Sequence, residues 1–96
     1  SILDIIRCQA DRNYTEFYFK AGPRYVAGKS LKEFELLLEE HDFFRIHQSH
    51  LINLEEVEEF SKVGRGGMVR LKDGTEVEVA RRKRKEFLEK MQSTIN

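Results

Sequence analysis

The dipeptide Asp73-Gly74 constrains this chain more than any other local feature, because it is the strongest short-range hairpin signal and lies between two apolar-alternating runs. Met68 to Lys72 leads into it and a run through Val77 and Val79 leads out, which predicts an antiparallel pair. Val57 to Val63, before the glycine-rich stretch Gly64-Arg65-Gly66-Gly67, predicts a third strand beside them.

The N-terminal third follows the same logic. Ile2 to Cys8 is apolar and β-branched enough for a strand. Tyr14 to Lys20 alternates Thr15, Phe17 and Phe19 on one face with Glu16, Tyr18 and Lys20 on the other. The polar stretch Gln9-Ala10-Asp11-Arg12-Asn13 connects them, and Gly22-Pro23 ends the second strand and returns Tyr25-Val26 as a third, making a meander. Helical spacing enters in two places. Ser30 and Glu33 have the spacing of a capping box ahead of Leu31, Phe34, Leu37 and Leu38, which predicts an amphipathic helix over 31–40. From Arg81 onward Phe87, Leu88, Met91 and Ile95 form one stripe suited to docking on a sheet. Phe43 to Leu54 keeps neither period and is predicted as a short strand, a polar loop and another turn. The fold class is therefore mostly β (α+β), antiparallel sheets with short helices.

Ninety-six residues, 40% of them apolar, suit one domain spanning 1–96, and the start at Ser1 reads as a piece of a longer protein. No apolar run approaches the roughly 20 residues that span a bilayer, and no signal peptide is recognisable, so no membrane partner is expected. The lone Cys8 cannot close an intramolecular disulfide, which fits a reducing compartment and a cytoplasmic location. Net charge is zero, so the bulk positive excess of many nucleic-acid binders is absent. The distribution is uneven: Arg81, Arg82, Lys83, Arg84 and Lys85 form a basic run, while Glu55, Glu56, Glu58 and Glu59 gather acid elsewhere, so a local field exists without a net one.

Several chemical constellations fail on spacing. Gly28-Lys29-Ser30 ends like a phosphate-binding loop, but Pro23 stands where its first glycine belongs and removes an amide donor. His41, His47 and His50 have no cysteine or carboxylate at ligand spacing, and nothing around Ser49 resembles a nucleophile elbow, so neither metal nor catalytic site is expected. The basic run sits where a helix N-terminus disfavours cations by some tenths of a kcal/mol each. Phosphate oxygens would offset that, and so would solvation with answering glutamates such as Glu86 and Glu89. Arg45-Ile46-His47-Gln48-Ser49-His50 places donors of several lengths in one stretch: glutamine fits an adenine edge, arginine a guanine edge, serine or histidine a phosphate. Asn53, between Ile52 and Leu54, reads instead as satisfying buried backbone at a turn.

The stretch Phe44-Arg45-Ile46-His47-Gln48-Ser49-His50-Leu51-Ile52-Asn53-Leu54 resembles the signature of the LytTR family of bacterial DNA-binding domains: arginine, apolar, histidine, polar, serine, aromatic, two apolar, asparagine. Asn13-Tyr14-Thr15, Lys29-Ser30-Leu31, Leu71 to Thr75 and Val79-Ala80-Arg81-Arg82 match further family segments in order, so the resemblance covers nearly all the chain. It departs at Ala80, often serine in the family, and at His50, often aromatic.

The resemblance implies an elongated fold of antiparallel sheets whose loops enter successive major grooves of duplex DNA. It also implies transcription regulation as the output domain of a two-component response regulator, without catalysis or cofactor. Such domains usually follow a receiver phosphorylated by a sensor histidine kinase and bind promoter direct repeats as dimers. The receiver is expected outside this sequence. Position by position, the first DNA-facing loop maps to Arg12 and Asn13, the central one to His47, Gln48 and Ser49, and the last to Arg81 and Arg82. Gln48 and Arg81 are expected at base edges, and His47, Ser49, Lys29, Ser30, Arg82 and Arg84 at phosphates. The rival expectation is a protein-interaction module of the same fold that uses exposed strand edges for β-augmentation.

Overall fold

The strands assemble into two sheets that share a core between them. A computed structural model describes residues 1–95, with side chains to residue 93. The strands are β1 (Ile5–Asp11), β2 (Tyr14–Phe19), β3 (Tyr25–Ala27), β4 (Phe43–His47), β5 (His50–Asn53), β6 (Val57–Ser61), β7 (Gly67–Leu71) and β8 (Glu76–Val79). Helix α1 (Leu31–Leu38) precedes β4, and α2 (Arg84–Ile95) closes the chain. The first five strands form one antiparallel sheet in the order β3-β2-β1-β5-β4, and β6-β7-β8 form a second. The body measures 32 × 25 × 24 Å.

Both faces of the larger sheet are covered at its centre. Ile5, Cys8, Phe43 and Leu51 meet Leu31 and Leu38 of α1 on one side. Ile6, Phe44, Ile46 and Ile52 meet Val69, Leu71, Val77 and Val79 of the small sheet and Phe87 of α2 on the other. Phe87 is fully buried, its ring 6.2 Å from Phe44 and 5.7 Å from Phe60. Asn53 is buried as predicted: its Nδ2 donates to Ile5 O at 3.0 Å, and its Oδ1 accepts from Glu55 N–H at 3.0 Å.

Where the elements depart from expectation, a backbone partner explains the difference. Ile2–Asp4 form a 3-10 turn capped by the Ser1 hydroxyl, so β1 starts later than predicted. It also runs further, because Gln9 pairs with Glu16 of β2 and His50 of β5, leaving only Arg12 and Asn13 in the turn. The unresolved pattern of Phe43 to Leu54 is a hairpin, β4–β5, buried on both faces, which erases the alternation that marks a half-buried strand. The Asp73-Gly74 connection is longer than a two-residue turn. Gly74 N–H donates to Leu71 O at 2.9 Å, Gly74 has φ +90, and Leu71 N–H donates to Thr75 O at 2.8 Å. This is a turn followed by a glycine bulge, with Asp73 Oδ1 accepting from Thr75 N–H.

Two helical stripes are narrower than predicted. The Ser30 backbone N–H donates to Glu33 at 3.1 Å, so the capping box forms. Helix α1 stops at Leu38, however, and Leu36 and Leu37 are 68% and 64% exposed. Only Leu31, Phe34 and Leu38 face the sheet, because a single helix on one face needs no wider stripe. On α2, Phe87 and Met91 pack inward, Leu88 stays exposed, and the side chain of Ile95 lies outside the described residues.

Because Phe87 joins both sheets, Phe87→Ala should cost about 3–5 kcal/mol in urea unfolding, a large part of the roughly 5–15 kcal/mol a domain holds. Leu88→Ala, at an exposed position of the same helix, should cost about 0.5 kcal/mol or less.

Candidate nucleic-acid interface

Strand direction decides which turns meet. Strand β1 ends at Asp11 and β2 starts at Tyr14; β3 ends at Ala27, opposite Thr15; β4 ends at His47 and β5 starts at His50. Arg12-Asn13, Lys29-Ser30 and Gln48-Ser49 therefore all lie along one edge of the large sheet. At about 4.8 Å between neighbouring strands, that edge is about 19 Å long. Thr15 Oγ1 donates to Lys29 O at 2.8 Å and ties the approach to α1 onto it. Ala80 N–H donates to Ile46 O at 3.0 Å, which brings Arg81 and the 3-10 turn Arg81–Lys83 to the same edge.

Arg12, Asn13, Lys29, Ser30, Gln48, Arg81 and Arg82 are exposed there, whereas His47, Ser49 and Arg84 are half-buried. Arg12 holds φ +58, a left-handed conformation that non-glycine residues seldom adopt. The β4–β5 turn is built from within. His47 Nδ1 accepts from Ser49 N–H at 3.0 Å, so the ring proton sits on Nε2, 3.8 Å from Glu78 Oε1. Arg45 Nε donates to His47 O at 3.1 Å, its Nη2 to Gln48 O, and its Nη1 to Glu35 of α1 at 2.9 Å.

Arg45, which in sequence offers a guanine reader, is thus committed to bracing the turn that presents Gln48. Its place two residues before the turn gave no sign of this; the paired carbonyls exist only once the hairpin closes. Arg84 is likewise engaged, with Nη1 3.3 Å from both Arg65 O and Gly66 O. Arg12, Lys29, Arg81 and Arg82 have no side-chain hydrogen bond or ion pair among the described residues.

Beneath the turn, His50 lies 5.3 Å from the His47 ring. Burial first, then the charges of His47 and Arg7, push its pKa down to about 4, against the pull of Glu78. The carboxylates concentrate at the opposite edge: Asp4, Glu39, Glu40, Asp42, Glu55 and Glu56 belong to the segments that precede β1 and β4 and follow β5. Glu58 and Glu59 bond Arg70 at 3.1 and 2.9 Å, and Glu56 lies 3.6 Å from Lys20. The zero net charge is thus spread unevenly, with exposed cations along one edge and a carboxylate cluster at the other, although Asp11 and Glu78 stand at the basic edge itself. Among the described residues no cluster of His, Cys, Asp or Glu could hold a metal, and no helix is long and apolar enough to cross a membrane.

Arg12→Gly should leave stability within about 1 kcal/mol, since relief of the left-handed backbone offsets the entropy of an added glycine. Urea unfolding checks this, and the variant then isolates the side chain's part in ligand binding. For His50 the folded pKa lies below the unfolded one, so its neutral form favours the fold at pH 7, and that contribution is lost as pH falls from about 6.5 to about 4. The urea midpoint of wild type should fall relative to that of His50→Phe across that window; a constant difference would refute the assignment.

Comparison with known proteins points the same way. The family described as the LytTr DNA-binding domain matches residues 1–92. Two heme-containing CO-sensing transcriptional regulators of Paraburkholderia xenovorans (strain LB400), RcoM 2 and RcoM 1, are 32% and 31% identical over 76 residues. The match covers 79% of this chain and 28% of each relative, so the chain spans little more than a quarter of their length. A solved LytTr DNA-binding domain from Bacillus cereus superposes with a TM-score of 0.80 at 20% identity, covering 95% of this chain and 83% of that one.

Proposed function

Because this chain belongs to the LytTR family of DNA-binding domains, we propose that it reads duplex DNA sequence-specifically, without catalysis, by presenting its basic edge to the major groove. The observation that carries this reading is the convergence of four separate segments on one edge, with Arg12, Lys29, Arg81 and Arg82 unpaired among the described residues, while most of the carboxylate-rich segments lie at the other. Phosphates would satisfy those cations, and short turns project far enough to meet base edges.

Gln48, exposed at the tip of a turn braced by Arg45, and Arg81, anchored beside Ile46, are the base readers. Lys29, Ser30, Ser49 and Arg82 hold phosphates; Arg12 and Asn13 enter from the β1–β2 turn. His47 keeps the turn in shape through Nδ1, and its Nε2–H, which stands 3.8 Å from Glu78 Oε1, would swing from that carboxylate to a phosphate in the complex. In transcription regulation such a domain would be the output of a two-component response regulator, receiving its signal from a receiver domain phosphorylated by a sensor histidine kinase and binding direct repeats as a dimer. The family resemblance supports that wider setting. A second reading, a protein-interaction module, has one observation in its favour: β3 is an edge strand with Tyr25 and Val26 exposed.

The test is fluorescence anisotropy on pooled random duplexes at several salt concentrations, with sequencing of the retained pool. An enriched motif should emerge, and neutralising about four to six phosphates should give a log–log salt slope of about −0.9 per phosphate. Gln48→Ala should relax selectivity at a single base pair by about 1–3 kcal/mol, whereas Arg82→Ala should weaken all duplexes alike. Salt-independent binding, or affinity unchanged in both Gln48→Ala and Arg81→Ala, would overturn the reading in favour of the interaction module.

A further inference from the structure

Strand register gives the glycine-rich connection between β6 and β7 a definite place. Ser61 pairs with Met68, and Gly67 pairs with Val79, so residues 62–66 emerge at the end of the small sheet where β8 delivers Ala80 and Arg81. This is the same edge of the molecule as the turns of the large sheet, one layer behind them.

The loop is pinned there. A methyl on Gly66 would collide with the carbonyl oxygen of Val79 and stand 3.4 Å from Arg81 N, so only glycine lets this backbone lie against the Arg81 turn. Gly64 holds φ +60, and Arg84 reaches across to the carbonyls of Arg65 and Gly66. Lys62 and Arg65 are exposed, and their side chains have no hydrogen bond or ion pair among the described residues. Arg70 offers the contrast within the same sheet: it is bonded to both Glu58 and Glu59. Four glutamates cluster around β6, yet none answers the two loop cations.

We propose that the loop at residues 62–66 is a further DNA-contacting element, in which Lys62 and Arg65 hold phosphates and Arg84 acts as a positioning residue for the loop. The inference rests on the duplex-binding reading above and replaces the direct phosphate contact expected of Arg84. Sheets that share a core stand about 10 Å apart, close to the roughly 12 Å width of the major groove. With the β1–β2 and β4–β5 turns in the groove, the loop stands against the phosphates along one of its walls. Lys62 and Arg65 then contribute affinity without reading sequence.

The experiment measures log affinity against log salt on an enriched duplex and on random duplex, for wild type, the double variant K62A/R65A, and the triple variant that adds R84A. Circular dichroism and urea unfolding confirm that each variant is folded. The double variant should show a salt slope shallower by about 1.8, at about 0.9 per lost phosphate, and should weaken on both duplexes by the same factor. Adding R84A should leave the slope where the double variant put it, because a positioning residue has nothing left to position. A slope unchanged in K62A/R65A overturns the proposal while leaving the functional reading intact. A further loss of about 0.9 on adding R84A assigns that residue its own phosphate and overturns its positioning role. Wild type that binds no duplex at low salt overturns the functional reading itself.

Discussion

The fold depends on the burial of one hairpin from both sides. Leu51 and Ile52 are adjacent in β5 and point in opposite directions, one under α1 and the other under the small sheet, and neither is exposed to solvent. That arrangement fixes register absolutely, because a one-residue slip would exchange two different cores. It also fixes the Gln48-Ser49 turn, which has no freedom that β4 and β5 do not share. The tip is held in place by the burial of β4 and β5 in both clusters together with the local bonds of Arg45 and His47.

Rigidity at the edge follows from short connections and inward-facing polar groups. Arg45 closes the carbonyls of His47 and Gln48, His47 takes the Ser49 amide, Thr15 fastens Lys29, and Ala80 stitches the small sheet to β4. These contacts order the edge before any ligand arrives, so binding need not supply that ordering entropy. Side chains that sequence marks as donors thus divide into those that build the surface and those left on it. Arg45 and Arg84 belong to the first group; Gln48, Arg81 and Arg82 belong to the second.

Most of the strands, and the helix start at Ser30, were legible because a capping box and half-buried alternation are local signals. The β4–β5 hairpin was not, because burial on both faces removes the periodicity that identifies a strand. Leu37 and Leu88 misled for the opposite reason: helical spacing marks what could face a core, and tertiary packing used only part of each stripe. At the site, the residues on the turns were identifiable through the family signature, yet their grouping on one edge required strand directions. The commitment of Arg45 and Arg84 to backbone carbonyls was invisible, since those acceptors are distant in sequence or appear only in a closed turn. The place of Lys62 and Arg65 beside the Arg81 turn was equally invisible, because two cations in a glycine-rich loop carry no local signal of what strand register brings near them.

Gathering most of the carboxylates away from the arginines that have no partner among the described residues gives the domain an electric dipole although its charges cancel. A dipole in the field of a polyanion feels a torque more than a pull. If the basic edge is the DNA-binding face proposed above, then within roughly a Debye length, 8–10 Å at physiological salt, an approaching copy would be turned edge-first before contact. A chain with no net charge lacks the broad attraction that holds strongly basic proteins on any nucleic acid, so on that reading orientation rather than bulk attraction would govern its encounters with the duplex.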